Sequence, residues 1–192
     1  MSKITVIGAG AVGATCADVL ARHEVCNEVV LVDIKEGVAE GKALDLYQVS
    51  PIEMFDTRLT GTATDYGVTA GSEIVVVTSG RPRSPGMSRD DLITVNADIV
   101  KSVMENVLKH SPNAIFIMVA NPLDTMTYHA LRVSGASPQR LMGMAGILDT
   151  ARYRAFLSIE LNVSPKDIQA VLMGGHGDTM VPLPRYTTVA GI

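Results

Sequence analysis

The residues best suited to chemistry are a histidine in a glycine-rich stretch and an acid–arginine pair upstream of it. His176 lies within GGHGD at residues 174–178, and Asp149 and Arg152 are three residues apart where a helix is predicted to begin. An imidazole exchanges protons near neutral pH, and flanking glycines let a substrate approach it closely. These residue types predict a proton shuttle beside an arginine that binds an anion.

A proton shuttle also needs an acceptor that fixes the tautomer of its imidazole. A nearby buried carboxylate does this and favours the charged ring, and Asp149 is the candidate. Taken alone, His176 could equally be structural, and Asp149 could be an ordinary acid at a helix N-terminus. His23, His110 and His129 lie in or at the ends of predicted helices without a glycine setting, and we interpret them as structural.

A second constellation is a glycine-rich turn that follows the first predicted strand and opens the first predicted helix. Its residues are Gly8, Ala9, Gly10, Ala11, Val12 and Gly13. Gly8 permits a tight turn, Gly10 lets the backbone approach a pyrophosphate, and Gly13 lets helix and strand pack closely. The N–H groups at the helix N-terminus are donors for the phosphates. The pattern predicts a dinucleotide site.

Asp33 supplies the second part of this fingerprint. It ends the second predicted strand at the usual distance from the glycines, where a carboxylate can bind a ribose diol. A 2′-phosphate there would meet negative charge, so Asp33 favours NAD over NADP. The alternative is a glycine-rich turn with an unrelated surface aspartate.

A basic loop at residues 80–91 follows the predicted strand that ends near Thr78. It carries Arg81, Arg83 and Arg89, interrupted by two prolines and a glycine. Arginine binds carboxylates through two parallel hydrogen bonds, and the composition predicts a semi-rigid loop that closes as a lid. A solvated basic loop is the alternative. Its place at the carboxyl edge of the sheet favours ligand binding.

Alternating strands and helices must position these residues. Short apolar runs typical of strands covered on both faces occupy residues 4–7, 29–32, 74–77 and 115–119. Segments with helical apolar spacing occupy residues 12–22, 38–48, 90–110 and 123–133. The pattern predicts an α/β fold with a doubly wound parallel sheet of the Rossmann type, and the alternation stops near Gly146.

Composition excludes several classes of protein. The chain has 192 residues, 47% of them hydrophobic, and a net charge of −4, which argues against a nucleic-acid surface. Its apolar runs are too short for a membrane span, and its N-terminus shows no export signal. Cys16 and Cys26 have neither zinc spacing nor the density of a disulfide framework, so we expect reduced thiols, a cytoplasmic location and no metal.

Five motifs in one order carry a resemblance to a known family: GAGAVG, RPRSPGMSR, VANPLD, LDTARYR and GGHGD. The chain resembles the lactate/malate dehydrogenase family over essentially its whole length, in particular the NAD-dependent malate dehydrogenases of the lactate-dehydrogenase-like type. The resemblance implies reversible oxidation of malate to oxaloacetate by hydride transfer to NAD, in the tricarboxylic acid cycle. It also implies a Rossmann domain at residues 1–145 and the beginning of an α+β substrate domain at residues 146–192.

The resemblance also assigns roles to the substrate residues. It makes His176 the proton acceptor, Asp149 its orienting acid and Arg152 the residue that binds the substrate carboxylate. Arg89 polarises the reacting carbonyl, and Arg83 binds the distal carboxylate.

Further residues are implied as contacts of the cofactor. Asn121 contacts both substrate and NAD, whereas Asn96 and the backbone of Val119 contact NAD. Arg81 is a departure from related sequences and could compete with Arg83 for the carboxylate. A homodimer or homotetramer is implied as well.

Arg83 separates two neighbouring substrates. A neutral residue would suit pyruvate or lactate, whereas an arginine is left unpaired unless the substrate has a second carboxylate, as malate and oxaloacetate do. Family members continue beyond the equivalent of Ile192, so we expect a chain truncated at its C-terminus. The alternatives are an inactive NAD-binding or assembly module, a dehydrogenase for lactate or another 2-hydroxy acid, and an NAD-dependent glycosidase, for which the metal-ligand pattern is missing.

Overall fold

The chain forms two compact units, Met1–Gly143 and Met144–Ile192. The computed structural model describes residues 1–82, 84, 86 and 88–192, and of Arg89 it describes the backbone alone. Within that part of the chain, no helix has both the length and the apolar character needed to cross a membrane.

The first unit contains a parallel sheet of six strands in the order β3-β2-β1-β4-β5-β6. The strands are β1 (Lys3–Ile7), β2 (Glu28–Asp33), β3 (Arg58–Ala63), β4 (Ile74–Val77), β5 (Ile115–Met118) and β6 (Leu141–Gly143). Chain order reverses between β1 and β4, which are direct neighbours, with Ile7 opposite Val77. The loops that follow these two strands therefore diverge at one edge of the sheet, where open α/β folds bind ligands.

α-Helices lie in the connections between the parallel strands, except in the connection from β3 to β4, which contains a 3-10 helix at Tyr66–Thr69. They are α1 (Ala11–Arg22), α2 (Val38–Gln48), α3 (Ser50–Glu53), α4 (Arg89–His110) and α5 (Leu123–Ser134). The doubly wound fold and the four predicted strands are confirmed, and the four predicted helices are present with ends that differ by at most one residue. Buried residues of β1, β2 and α1, such as Val6, Leu31 and Ala17, share one apolar core.

The sequence did not predict β3 and β6, the two edge strands. β3 reads RLTGTA, so it lacks the continuous apolar run that marks a strand covered on both faces. A side chain at Gly61 would collide with the carbonyl of Ala39, so the glycine allows β3 to lie directly against α2. β6 has only three residues, which is too short to give a pattern.

The second unit begins with helix α6 (Gly146–Leu161) and continues as short antiparallel strand pairs. The strands are β7 (Ile168–Gln169), β8 (Leu172–Gly174), β9 (Met180–Pro182) and β10 (Thr188–Val189). β8 pairs with β9 and β7 with β10. Gly174 ends β8 with a φ of +99°, and a side chain there would meet the carbonyl of Thr179. Glycine therefore lets the chain turn away from β8 just before His176.

Candidate functional site

The turn between β1 and α1 depends on two glycines at close contacts. Gly8 has a φ of +104°, and a β-carbon there would lie 2.8 Å from the backbone nitrogen of Ser79. A β-carbon at Gly13 would collide with the carbonyl oxygen of Gly8 and lie 2.7 Å from Thr78 Oγ1. The first turn of α1 can therefore approach β1 only with glycine at position 13.

Thr78 connects the end of β4 to this turn. Its hydroxyl lies 3.0 Å from the carbonyl oxygens of both Ile7 and Gly8, to which it donates. The side chain thus holds the two diverging strand ends together at the edge of the sheet. Sequence reasoning did not identify Thr78 as a site residue.

Gly10 leaves space at the N-terminus of α1. A β-carbon on Gly10 would have no atom within 4 Å. Gly10 is the N-cap residue of α1, no side chain forms a cap hydrogen bond there, and the first turn of α1 carries no acidic residue. An uncapped N-terminus presents backbone donors and a partial positive charge of about half an elementary charge. These features fit a phosphate group placed against Gly10, Ala11 and Val12.

Asp33 lies at the other side of the same turn. Its Oδ2 accepts a hydrogen bond from the backbone nitrogen of Ala9 at 2.6 Å, and its Oδ1 accepts one from that of Lys35 at 3.0 Å. Lys42, on α2, donates to the carbonyl of Ala9 at 2.6 Å. Two side chains of opposite charge therefore hold the main chain of Ala9 from either side.

Tyr66 is a further titratable group close to Asp33. Burial, and secondarily the negative charge of Asp33, raise the pKa of the Tyr66 phenol. The phenol thus stays neutral, and it can act as a hydrogen-bond donor beside the carboxylate without adding charge.

Asn96 connects the loops that follow β4 and β5. The side chain is 1% exposed; its Oδ1 accepts from the backbone nitrogen of Arg81 at 2.7 Å. Its Nδ2 donates to the carbonyls of Asn121 at 2.7 Å and Arg81 at 3.3 Å. The predicted contact of Asn96 with NAD stays a prediction, and its hydrogen bonds show a positioning role for both loops.

A cavity of about 650 Å³ lies against the glycine-rich turn, which is large enough for a cofactor. Its lining combines the turn, the residues after β4, the residues after β5 and two side chains of α4: Gly10, Ala11, Val12, Gly13, Thr78, Gly80, Arg81, Pro82, Leu92, Asn96, Val119, Ala120 and Asn121. Val119 and Ala120 are held to β4 because both of their backbone nitrogens donate to the Val77 carbonyl. The residues fit NAD: a glycine cradle for phosphates and a carboxylate for a ribose meet at one sheet edge.

Part of the predicted arginine lid lies outside the described residues. Arg83 lies outside the described residues, and the side chain of Arg89 is not described either, so the predicted roles of both stay predictions. The backbone of Arg89 begins α4 behind a capping box. Ser88 Oγ accepts from the backbone nitrogen of Asp91 at 3.0 Å, and the Asp91 carboxylate accepts from that of Ser88 at 3.1 Å. The Ser88 hydroxyl also donates to Asp91 Oδ2 at 2.6 Å, and this hydrogen bond, followed by the one from the Ser88 nitrogen, lowers the pKa of the Asp91 carboxyl.

His176, Asp149 and Arg152 come together in the second unit. His176 Nδ1 lies 2.7 Å from Asp149 Oδ2, and Arg152 Nη1 lies 3.2 Å from Asp149 Oδ1. The Asp149 side chain is 3% exposed, His176 21% and Arg152 58%. A buried carboxylate that accepts from Nδ1 fixes the tautomer with the proton on that nitrogen, so proton exchange with a substrate would use Nε2.

One turn of α6 positions this group. Asp149 and Arg152 are spaced i,i+3 near the N-terminus of the helix, so both side chains lie on one face. Between them, Thr150 Oγ1 accepts a hydrogen bond from the backbone nitrogen of Leu172 at 3.0 Å. Thr150 therefore holds β8, the strand that leads into His176, against the same turn of helix. Sequence reasoning missed Thr150.

Both cysteines are free thiols, and neither takes part in the site. Burial raises the pKa of Cys16 and of Cys26, so both thiols are protonated and weakly reactive at neutral pH. His129 Nε2 pairs with the carbonyl of Ala97 at 3.1 Å between two helices. These contacts are structural.

The strand order, the glycine turn and Asp33 define a dinucleotide-binding protein of the doubly wound α/β class. Residues 2–143 match the family model of the lactate/malate dehydrogenase NAD binding domain, and residues 147–192 match that of the alpha/beta C-terminal domain. The chain belongs to the lactate/malate dehydrogenase family. Its first unit is therefore an NAD-binding domain.

Individual relatives agree with this family. The chain is 65% identical over 190 residues to a malate dehydrogenase of Cytophaga hutchinsonii, covering 99% of this chain and 61% of that protein. It is similar to the structure of malate dehydrogenase from Salinibacter ruber, with 56% identity and a TM-score of 0.91, over 99% of this chain and 60% of that one.

A lactate dehydrogenase structure is also similar. The enzyme of Cryptosporidium parvum, solved with lactic acid and the cofactor, has 39% identity and a TM-score of 0.92 over 100% of this chain and 60% of that one. The backbone fold is thus common to both branches of the family. The chain spans about 60% of the length of the curated relatives it matches.

Proposed function

We propose that this protein catalyses the reversible NAD-dependent oxidation of malate to oxaloacetate. The observation that carries the proposal is the 2.7 Å contact between His176 Nδ1 and the buried Asp149 carboxylate, with Arg152 on the other oxygen of that carboxylate. The names of the relatives support malate as the substrate. We further propose residues 1–145 as the NAD-binding domain and residues 146–192 as the first part of the substrate domain.

One pair of side chains transfers the proton, and arginines bind the negatively charged groups of the substrate. Neutral His176 accepts the hydroxyl proton of malate at Nε2, and Asp149 stabilises the imidazolium that results. Arg152 binds the carboxylate next to the reacting carbon, while Arg89 polarises the carbonyl and Arg83 binds the distal carboxylate.

Asn121 contacts substrate and cofactor. When bound by the glycine turn, Asp33, Asn96 and Val119, NAD supplies the hydride acceptor.

The substrate assignment is tested by NADH oxidation with oxaloacetate and with pyruvate. We expect oxaloacetate to be preferred and Arg83→Gln to shift the ratio of the two kcat/KM values toward pyruvate by about ten- to a hundredfold, because one charged hydrogen bond is lost. A ratio that does not move would assign the distal carboxylate to another residue. A chain that binds NADH but turns over neither keto acid would be an NAD-binding module.

The cofactor assignment is tested at Asp33. We expect Asp33→Ser to reduce the preference for NAD over NADP, because the carboxylate that repels a 2′-phosphate is removed. Binding titrations with NADH and NADPH measure this preference directly. Glu160→Gln removes one negative charge at an exposed position of α6 in the second unit; it is the charge control and should leave the preference unchanged. An unaltered preference in Asp33→Ser would contradict the assignment.

Three wider features belong to the same proposal. We propose a role in the tricarboxylic acid cycle, because that is where malate and oxaloacetate are interconverted. The resemblance supports a homodimer or homotetramer, and the two free thiols support a cytoplasmic location.

A further inference from the structure

We propose that the guanidinium of Arg81 supplies the positive charge that binds the pyrophosphate of the dinucleotide. The proposal rests on NAD being the cofactor, as in the proposed function. It gives Arg81 a role in cofactor binding that the family resemblance does not assign to it. Arg81 lines the same cavity as Gly10 and Gly13 and is an exposed side chain.

The charges of the cavity lining favour such a group. Among the described residues that line it, Arg81 is the one that carries a full charge, and the others are apolar, glycine or neutral polar residues. A pyrophosphate carries negative charge on both phosphates, whereas the N-terminus of α1 contributes only about half an elementary charge. A bidentate cation at the cavity wall provides the charge that the helix does not.

The main chain of Arg81 is held in place for this contact. Asn96, itself 1% exposed, accepts from the Arg81 nitrogen at 2.7 Å and donates to the Arg81 oxygen at 3.3 Å. With both peptide groups held, only the side-chain rotamers of Arg81 remain to be ordered when an anion binds. This lowers the entropic cost of the contact.

The position of Arg81 favours the pyrophosphate over the distal carboxylate of the substrate. Arg81 lies four residues after the end of β4. β4 pairs with β1, and the glycine turn follows β1. Thr78, three residues earlier, donates to the carbonyl of Gly8 at 3.0 Å. The loop of Arg81 therefore starts against the turn whose residues line the cavity.

Binding titrations of the 192-residue chain test the proposal with NADH, ADP-ribose and adenosine. We expect Arg81→Gln to weaken NADH and ADP-ribose about tenfold at low ionic strength, since a partly exposed charged hydrogen bond is lost. The salt dependence of both affinities should become flatter, and adenosine, which has no phosphate, should bind equally well. Arg81→Lys keeps the charge but not the paired donors, so it should restore the salt dependence and recover part of the affinity. Arg58→Gln, an exposed arginine that begins β3 at the other edge of the sheet, is the matched control and should change nothing.

Three outcomes would overturn the proposal. Unchanged affinity and salt dependence for NADH in Arg81→Gln, with a raised KM for oxaloacetate, would assign Arg81 to the substrate carboxylate. An equal loss for adenosine would show a distorted cavity in place of a lost charge. If the unsubstituted chain bound neither NADH nor ADP-ribose, the cofactor assignment of the proposed function would fail as well. In the first two outcomes the unsubstituted chain still binds NADH, so only the role of Arg81 fails.

Discussion

Asp149→Asn is expected to lower kcat for malate oxidation by about 10⁴-fold, the loss seen when an acid that orients a catalytic histidine becomes an amide. The carboxylate accepts from both His176 and Arg152, and it is 3% exposed. An asparagine side chain can accept through only one atom, so either the imidazole tautomer or the arginine loses its partner. Steady-state kinetics in both directions measure the effect.

The affinity for NADH separates this effect from misfolding. It should be unchanged in Asp149→Asn, because the glycine turn and Asp33 belong to the first unit. Asp167→Asn makes the same chemical change at an exposed site of the second unit and should leave kcat within about twofold of the original value. A loss of kcat below about tenfold in Asp149→Asn would show that the pair does not act as the shuttle.

Gly13→Ala is expected to lower the free energy of unfolding by about 3 kcal/mol and to weaken NADH binding by more than about tenfold. The added β-carbon would collide with the carbonyl oxygen of Gly8 and crowd Thr78 Oγ1. A backbone carbonyl cannot rotate away as a side chain can, so α1 must move and with it the donors at its N-terminus. Urea unfolding and NADH titration measure the two effects.

Gly41→Ala is the matched control for this change. Gly41 is also inside a helix, α2, and a β-carbon there has no atom within 4 Å. Alanine should therefore be neutral or stabilise the protein by up to about 1 kcal/mol, because it restricts the unfolded chain. If Gly13→Ala were as stable as Gly41→Ala, the close packing of α1 on β1 would not be what requires glycine.

The central strands were predictable because each is covered on both faces and reads as a continuous apolar run, as IVVV does in β4. The edge strands were not predictable. In β3, threonines and a glycine replace that run, and what keeps the strand in place is close contact of Gly61 with the main chain of Ala39. The spacing of Ser88 and Asp91 is that of a capping box, so the sequence contained the signal that α4 begins at Arg89, one residue before the predicted start.

The candidate site was predictable where side chain meets side chain, and less so elsewhere. The types and order of His176, Asp149 and Arg152 suggested their pairing. Thr78, Thr150 and Lys42 were missed because each bonds a main-chain atom. Every residue has such atoms, so a main-chain partner leaves no residue type for a sequence pattern to detect.

The turn of α6 at residues 149–152 has a consequence for anyone who recombines segments of this family. Within four residues, 149–152, it provides a carboxylate that bonds the imidazole of His176, a hydroxyl that accepts a hydrogen bond from β8, and a guanidinium that bonds the same carboxylate. Inserting one residue there would rotate everything beyond it by about 100° around the helix axis. A substitution changes one of these side chains at a time, but an insertion between residues 149 and 152 moves at least one of them to another face of the helix from the rest, so crossover points belong outside this turn.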